Sequence, residues 1–156
     1  MDIISYSVAQ TINIGKRIAA SLKPADIVCL IGELGSGKTV LTKGIAGGLG
    51  IDKDSVISPT FVLIRVYEKG RLPLYHFDFF RLEESPQIAG LGYEEYLYGR
   101  GVSVIEWAQR LDNLMPREFL KIEISLKAGT ERLLKFSASG LRYKELLGEI
   151  RENISH

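Results

Sequence analysis

Apolar and polar positions along the chain change period several times, and each change marks an element. DIISYSV near the N-terminus predicts a short strand. Ile14, Ile18 and Leu22 then recur at helical spacing. Ser7 with Gln10 fits a capping box at the start of that helix, with Thr11 as an alternative N-cap. Pro24 ends it. Ile27 to Ile31 is an unbroken apolar run, as in a strand buried on both faces of a parallel sheet. Lys38 to Gly47 returns to helical spacing, with Val40, Leu41, Ile45 and Ala46 apolar, and the glycines at 47, 48 and 50 stop it.

The second half is richer in strands. FVLIRVYE and LPLYHFDFF read as strands joined by a turn at Lys69-Gly70-Arg71. Residues 83–98 read as mixed helix and loop. VSVIEW is a short buried strand, and Met115-Pro116 breaks the chain after it. FLKIEISL and RLLKFSA form a late strand pair across Lys127 to Thr130. LRYKELLGEIRE predicts an amphipathic C-terminal helix over about 140–152, with a loose tail. The alternation of strand and helix predicts an α/β fold. The expectation is a single domain over 1–156, a mixed sheet with a parallel core, some antiparallel strands and helices on both faces.

Composition changes this picture little, but it excludes some classes. The chain has 156 residues, enough to bury a core without disulfides or structural metals. Twenty basic side chains against 19 acidic ones leave no broad positive field, so any RNA contact is expected to be local or made through a partner. The single cysteine, Cys29, lies in an apolar run and reads as a buried thiol. MDIISYSVAQ has no basic region followed by an apolar stretch, and no 18-residue apolar run occurs. A cytoplasmic location without membrane association is expected.

The chemistry concentrates in GELGSGKT, Gly32 to Thr39, which fits G-x-x-x-x-G-K-[ST] with a strand before it and a helix after it. Glycines allow the backbone to curl so that successive N–H groups face one anion. The helix start points its positive end to the same place. Lys38 adds a mobile charge for β- and γ-phosphates, and Thr39 offers Mg²⁺ the oxygen ligand that it prefers. The alternative is a strand-turn-helix joint whose glycines serve only the turn; against it stand the rarity of a chance match in a chain of this length and the strand-helix surroundings. No N-K-x-D or D-x-x-G sequence is present, so ATP is the expected ligand rather than a guanine nucleotide.

Such a loop works with an acid at the end of a neighbouring strand. Glu106 ends VSVIE and is the favoured metal carboxylate. Asp78 ends LPLYHFD and would position or deprotonate water; the two roles could be exchanged. Thr60, in SPTF, is either a switch residue sensing the terminal phosphate or a turn hydroxyl. His76 shares a strand face with Asp78, and a lone histidine reads more readily as structural than as catalytic. Arg81 would neutralise transferring charge or pair with an acid. Trp107 would stack on a base or a partner, or simply pack half-buried.

In this order and spacing, GELGSGKT, SPTF, HFDFFR and IEW resemble the TsaE family, the P-loop ATPases of bacterial tRNA threonylcarbamoyladenosine synthesis. The resemblance runs from Thr11 to RLLKFSASG. It implies ATP hydrolysis that is weak alone and stimulated by TsaB and TsaD, with TsaD carrying the transferase site and tRNA contact indirect. It implies a catalytic set of Lys38, Asp78 and Glu106, with magnesium at Thr39 and Glu106. The implied nucleotide contacts are Glu33, Leu34, Gly35, Ser36 and Gly37 with Lys38, Thr39 and Val40. Thr60, Val8 before the first helix and Arg132 opening the last strand complete them. Two departures from the family pattern are Glu33, where aspartate is usual, and Phe80, where tyrosine is usual. A small-molecule kinase and a non-hydrolysing nucleotide-gated binding module are the alternative functions. Against the kinase, residues 83–101 offer only Arg100 as a lid arginine.

Overall fold

Hydrophobic period decides which strands lie inside. In the computed structural model, which describes residues 1–59, 63–82 and 92–155, β2 (Ile27–Ile31) and β5 (Val102–Glu106) are the most deeply buried strands. Among the described residues seven strands form one sheet in the order β1-β7-β6-β2-β5-β4-β3. The others are β1 (Asp2–Ser5), β3 (Ile64–Tyr67), β4 (Leu74–Asp78), β6 (Phe119–Leu126) and β7 (Arg132–Ser139). β2 pairs in parallel with both β5 and β6, and β4 in parallel with β5. The pairs β1–β7, β6–β7 and β3–β4 are antiparallel. The expected mixed sheet with a parallel core is thus the observed one.

Covering of the sheet is uneven. Leu120, Ile122 and Ile124 of β6 are buried while Glu123 is exposed, and in β7 Leu134 and Phe136 are buried while Lys135 is exposed. The outer antiparallel strands therefore bury one face only, as alternation predicts. Among the described residues the α-helices are α1 (Val8–Ala19), α2 (Lys38–Gly48), a short α3 (Glu94–Leu97) and α4 (Leu141–Ser155). Among the described residues, none is long and apolar enough to cross a membrane.

Helix α1 starts as its sequence dictates. The Ser7 hydroxyl accepts from Gln10 N–H at 3.1 Å. The Gln10 side chain accepts from Tyr6 N–H at 2.8 Å, one residue further out than in a standard capping box. Thr11 lies inside the helix, where its hydroxyl donates to the Ser7 carbonyl at 3.2 Å. The helix ends at Ala19, so Leu22 is buried in the turn that follows rather than on the helix itself.

Helices α1 and α2 approach closely because glycines face each other. A Cβ on Gly44 would lie 2.3 Å from the Ile12 carbonyl oxygen, and one on Gly15 would lie 2.6 Å from that of Leu41. This contact fixes α2, and with it the loop that α2 starts from. A partly buried ion pair ties α4 to the start of β2. Arg142 donates to Asp26 through Nε at 3.0 Å and through Nη2 at 2.6 Å, a bidentate geometry that fixes orientation.

Three boundaries differ from expectation. The C-terminal helix continues to Ser155, and its inward residues Tyr143, Leu146 and Ile150 keep it docked. The strand expected from FVLIRVYE is seen as Ile64–Tyr67, with residues 60–62 outside the described part. Of 83–98, residues 83–91 lie outside it, and α3 occupies 94–97.

Two predictions follow from the packing. Gly44→Ala should destabilise the protein by about 1–3 kcal/mol, because backbone atoms have to separate; chemical denaturation measures this. Cys29 is fully buried, and burial pushes its thiol up from 9.0 to about 12. The unfolded thiol ionises first as pH rises. Its contribution to stability is therefore complete below 9.0 and lost as pH climbs towards about 12. Native protein should resist thiol reagents until denatured, and Cys29→Ala should show a flatter alkaline decline in stability than the parent chain.

Candidate functional site

Parallel strands collect loops at their C-terminal ends, and ligands of open α/β sheets bind there. Here the ends of β2, β4 and β5 bring Gly32–Thr39, Asp78 and Glu106 together. Register places Leu30 beside Glu106 and Asp78 beside Glu106. The two carboxylates thus sit on adjacent strands next to the loop. They face a hollow of about 400 Å³, lined by Leu34, Gly35, Gly37, Lys38, Thr39, Val40, Ser58, Asp78, Phe80, Glu106 and Trp107. A larger hollow of about 790 Å³ lies at the opposite end of β2, around Asp26 and Arg142. It has no loop of this kind, so its greater volume does not make it the better site.

The loop has the conformation that its glycines permit. Gly35 (φ 79°) and Gly37 (φ 114°) are left-handed, a region costly for residues with a Cβ. Gly37 is the N-cap of α2 and supplies no side-chain cap. The first amides of α2 therefore face the loop without intrahelical acceptors. Ser36 is buried, and its carbonyl accepts from Arg132 Nε at 2.8 Å. Arg132 thereby ties the loop to β7, three strands away from β5.

Lys38 is buried, and its ammonium donates to the carbonyls of Gly32 at 2.7 Å and Glu33 at 2.9 Å, and to the Ser36 hydroxyl at 3.4 Å. It lies 4.5 Å from the centroid of the Trp107 ring, within cation–π range. Burial lowers the Lys38 pKa; Glu106, Asp78 and Glu33 pull it back up. An incoming polyanion would act in the same direction as those carboxylates and strengthen the charged form.

Thr39 donates to both oxygens of Glu106, at 2.9 and 3.1 Å. Among the described residues that carboxylate also meets Nε2 of His76, which is fully buried on β4. Asp78 accepts from the Ser58 hydroxyl at 2.7 Å and from Phe80 N–H at 2.9 Å. A hydroxyl beside a carboxylate, with a second carboxylate on the next strand, is an all-oxygen donor set. It suits a hard cation such as Mg²⁺, which takes one or two protein ligands and completes its shell with phosphate and water.

Of the residues singled out from the sequence, Leu34, Gly35, Gly37, Lys38, Thr39, Val40, Asp78 and Glu106 line one hollow. Glu33 and Ser36 hold Lys38, and Arg132 holds the loop. Val8 is 61% exposed at the start of α1 and is not part of this lining. Arg81 is exposed beyond β4. Thr60 lies outside the described residues. Trp107 packs half-buried against Phe80, with ring centroids 5.0 Å apart, so the phenyl ring standing in the usual tyrosine position serves as a wall. Two residues were not read from the sequence as part of the site. Ser58 is the first residue of SPTF, and its hydroxyl is the signal that could have identified it. His76 carried a signal in its two-residue spacing from Asp78, but its partner is on another strand.

The chain has a single tryptophan, so its emission can be assigned to this site. Magnesium nucleotide should draw Lys38 off Gly32, Glu33 and the Trp107 face, and change Trp107 emission saturably. Lys38→Ala should show no such change in a fluorescence titration.

Comparison with known proteins agrees with this geometry. The family model described as "Threonylcarbamoyl adenosine biosynthesis protein TsaE" matches residues 5–134. The tRNA threonylcarbamoyladenosine biosynthesis protein TsaE of Bacillus subtilis is 44% identical over 149 residues, 94% of this chain and 92% of its own. That of Treponema pallidum is 39% identical over 132 residues, 85% of this chain and 96% of its own. The crystal structure of Bacillus subtilis YdiB superposes with a TM-score of 0.86 at 38% identity, covering 99% of this chain and 95% of that one. A strand-loop-helix cradle with paired strand-end acids, matched along almost its whole length by these relatives, places the chain in the TsaE family.

Proposed function

We propose that this protein binds and hydrolyses ATP with magnesium, and that it does so as a subunit of the machinery that makes threonylcarbamoyladenosine in tRNA. The observation that carries the reading is the convergence on one hollow of Lys38 and Thr39 from the loop with Glu106 from β5 and Asp78 from β4. In this reading the amides of Gly35 to Thr39 and the Lys38 ammonium hold the β- and γ-phosphates. Glu33, Leu34, Ser36 and Val40 shape the loop around them and Arg132 holds it from β7, while Val8 and Thr60 would add nucleotide contacts as the family pattern has them.

Thr39 and Glu106 are the magnesium residues, since their side chains already touch (2.9 Å) at the mouth of the loop. Magnesium, when bound, supplies positive charge that offsets the charge on the phosphate oxygens. Asp78 orients water in line with the γ-phosphate and accepts its proton. As the water oxygen bonds to phosphorus, the bond to the β,γ-bridging oxygen breaks, and ADP and inorganic phosphate leave. Lys38 stabilises the bridging oxygen as charge builds on it. The Ser58 hydroxyl and Phe80 N–H fix the Asp78 carboxylate, so its orientation is set before substrate arrives.

Family membership supports TsaB and TsaD as the partners, with TsaD carrying the transferase site. ATP turnover would reset their complex between rounds, and tRNA would be met through them rather than on this chain, whose formal net charge is only +1. A cytoplasmic site of action goes with that role.

The test is phosphate release from ATP by the chain alone and with TsaB and TsaD. Slow release that rises with the partners is expected, and equal, negligible release in both cases would defeat the proposal. Lys38→Ala should lower turnover by at least about 10²-fold, in line with the loss of one electrostatic donor.

A further inference from the structure

We infer that His76 is a positioning residue for the magnesium carboxylate: its Nε2–H, coming from β4, holds Glu106 in the orientation that Thr39 shares. The inference rests on the reading of Glu106 as a magnesium residue given above.

Three observations support it. First, the ring has no solvent exposure, and its Nε2 meets Oε2 of Glu106. An ionised carboxylate offers only acceptors, so Nε2 carries the proton in that bond. Second, the other ring nitrogen, Nδ1, is buried with no hydrogen-bond partner among the described residues. An unmatched buried polar atom costs stability. At a fully buried position of β4, beside the equally buried Leu74 and Phe77 along the strand, an apolar side chain would avoid that cost. Packing alone therefore does not explain a histidine here, whereas the bond to Glu106 does. Third, the two donors reach the carboxylate from different elements. Thr39 meets Oε1 at 2.9 Å and Oε2 at 3.1 Å, and His76 meets Oε2. Thr39 belongs to α2 and His76 to β4, so the carboxylate is pinned from two separate elements.

A glutamate has one more rotatable bond than an aspartate, and holding it in one orientation costs entropy at the moment of metal binding. Pinning by His76 meets that cost during folding. Partners of metal ligands commonly set metal affinity in this way. His76 touches neither phosphate nor water in this assignment. Its effect should therefore fall on magnesium rather than on the nucleotide itself.

The test separates those two affinities. Calorimetry measures ATP binding in excess chelator. A titration of Mn²⁺, followed by electron paramagnetic resonance in the presence of ATP, measures the metal. His76→Leu should weaken Mn²⁺ binding by about 10–100-fold and leave metal-free ATP binding within about twofold of the parent. His76→Gln places an amide N–H near the position of Nε2 and should recover most of the metal affinity. His76→Asn is too short to reach Glu106 and should not. This polar pair decides the matter even if the leucine variant fails to fold. Equal metal affinity for the Gln and Asn variants overturns the inference. So does a parallel loss of metal and metal-free ATP binding, which marks a merely structural residue. A parent chain that binds ATP equally with and without the metal overturns the reading of Glu106 itself, and the inference with it.

Discussion

The site depends on strand register. Glu106 lies beside Leu30 on one side and Asp78 on the other, and side chains alternate between faces with a period of two. A slip of one residue in β5 would turn Glu106 to the opposite face and bring Ile105 to the loop. What prevents the slip is burial on both faces: every residue of β5, and Ile27 to Leu30 of β2, is out of solvent. The chemistry at the rim is thus set by apolar residues that take no part in it.

A second constraint acts through α2. The loop starts from the end of β2 and finishes in the first turn of α2, so both have to be fixed for Lys38 and Thr39 to meet Glu106. The contact of Gly15 and Gly44 holds α2 against α1 at backbone distance, and Arg132 holds the loop from β7. These anchors come from residues far apart in the chain. The loop carries two glycines in left-handed conformations and has little stiffness of its own, so its shape is imposed from outside.

The donors of the site already have acceptors. The Lys38 ammonium donates to backbone carbonyls, and the Thr39 hydroxyl donates to Glu106. Under the proposed function each of these bonds would have a replacement in a magnesium nucleotide, with phosphate oxygen for carbonyl and cation for hydroxyl proton. Binding would then be an exchange of partners, which costs less than desolvating unpaired charges.

By itself, the sequence determined the α/β class, the buried run of Ile27 to Ile31, the loop with its lysine and threonine, and the two acids that follow apolar runs. These are local facts: a period, a glycine spacing, a carboxylate after a strand. Tertiary structure decided which distant residues share a hydrogen bond. That Ser58 holds Asp78, that His76 reaches Glu106 instead of acting beside Asp78, and that Trp107 stands over Lys38 all depend on the order and register of strands separated by many residues. Nothing in the spacing of His76 and Glu106, which are 30 residues apart, marks them as partners. Only the parallel pairing of β4 with β5 brings them together, because sheet contacts are set by the burial of whole strands and not by neighbours in sequence.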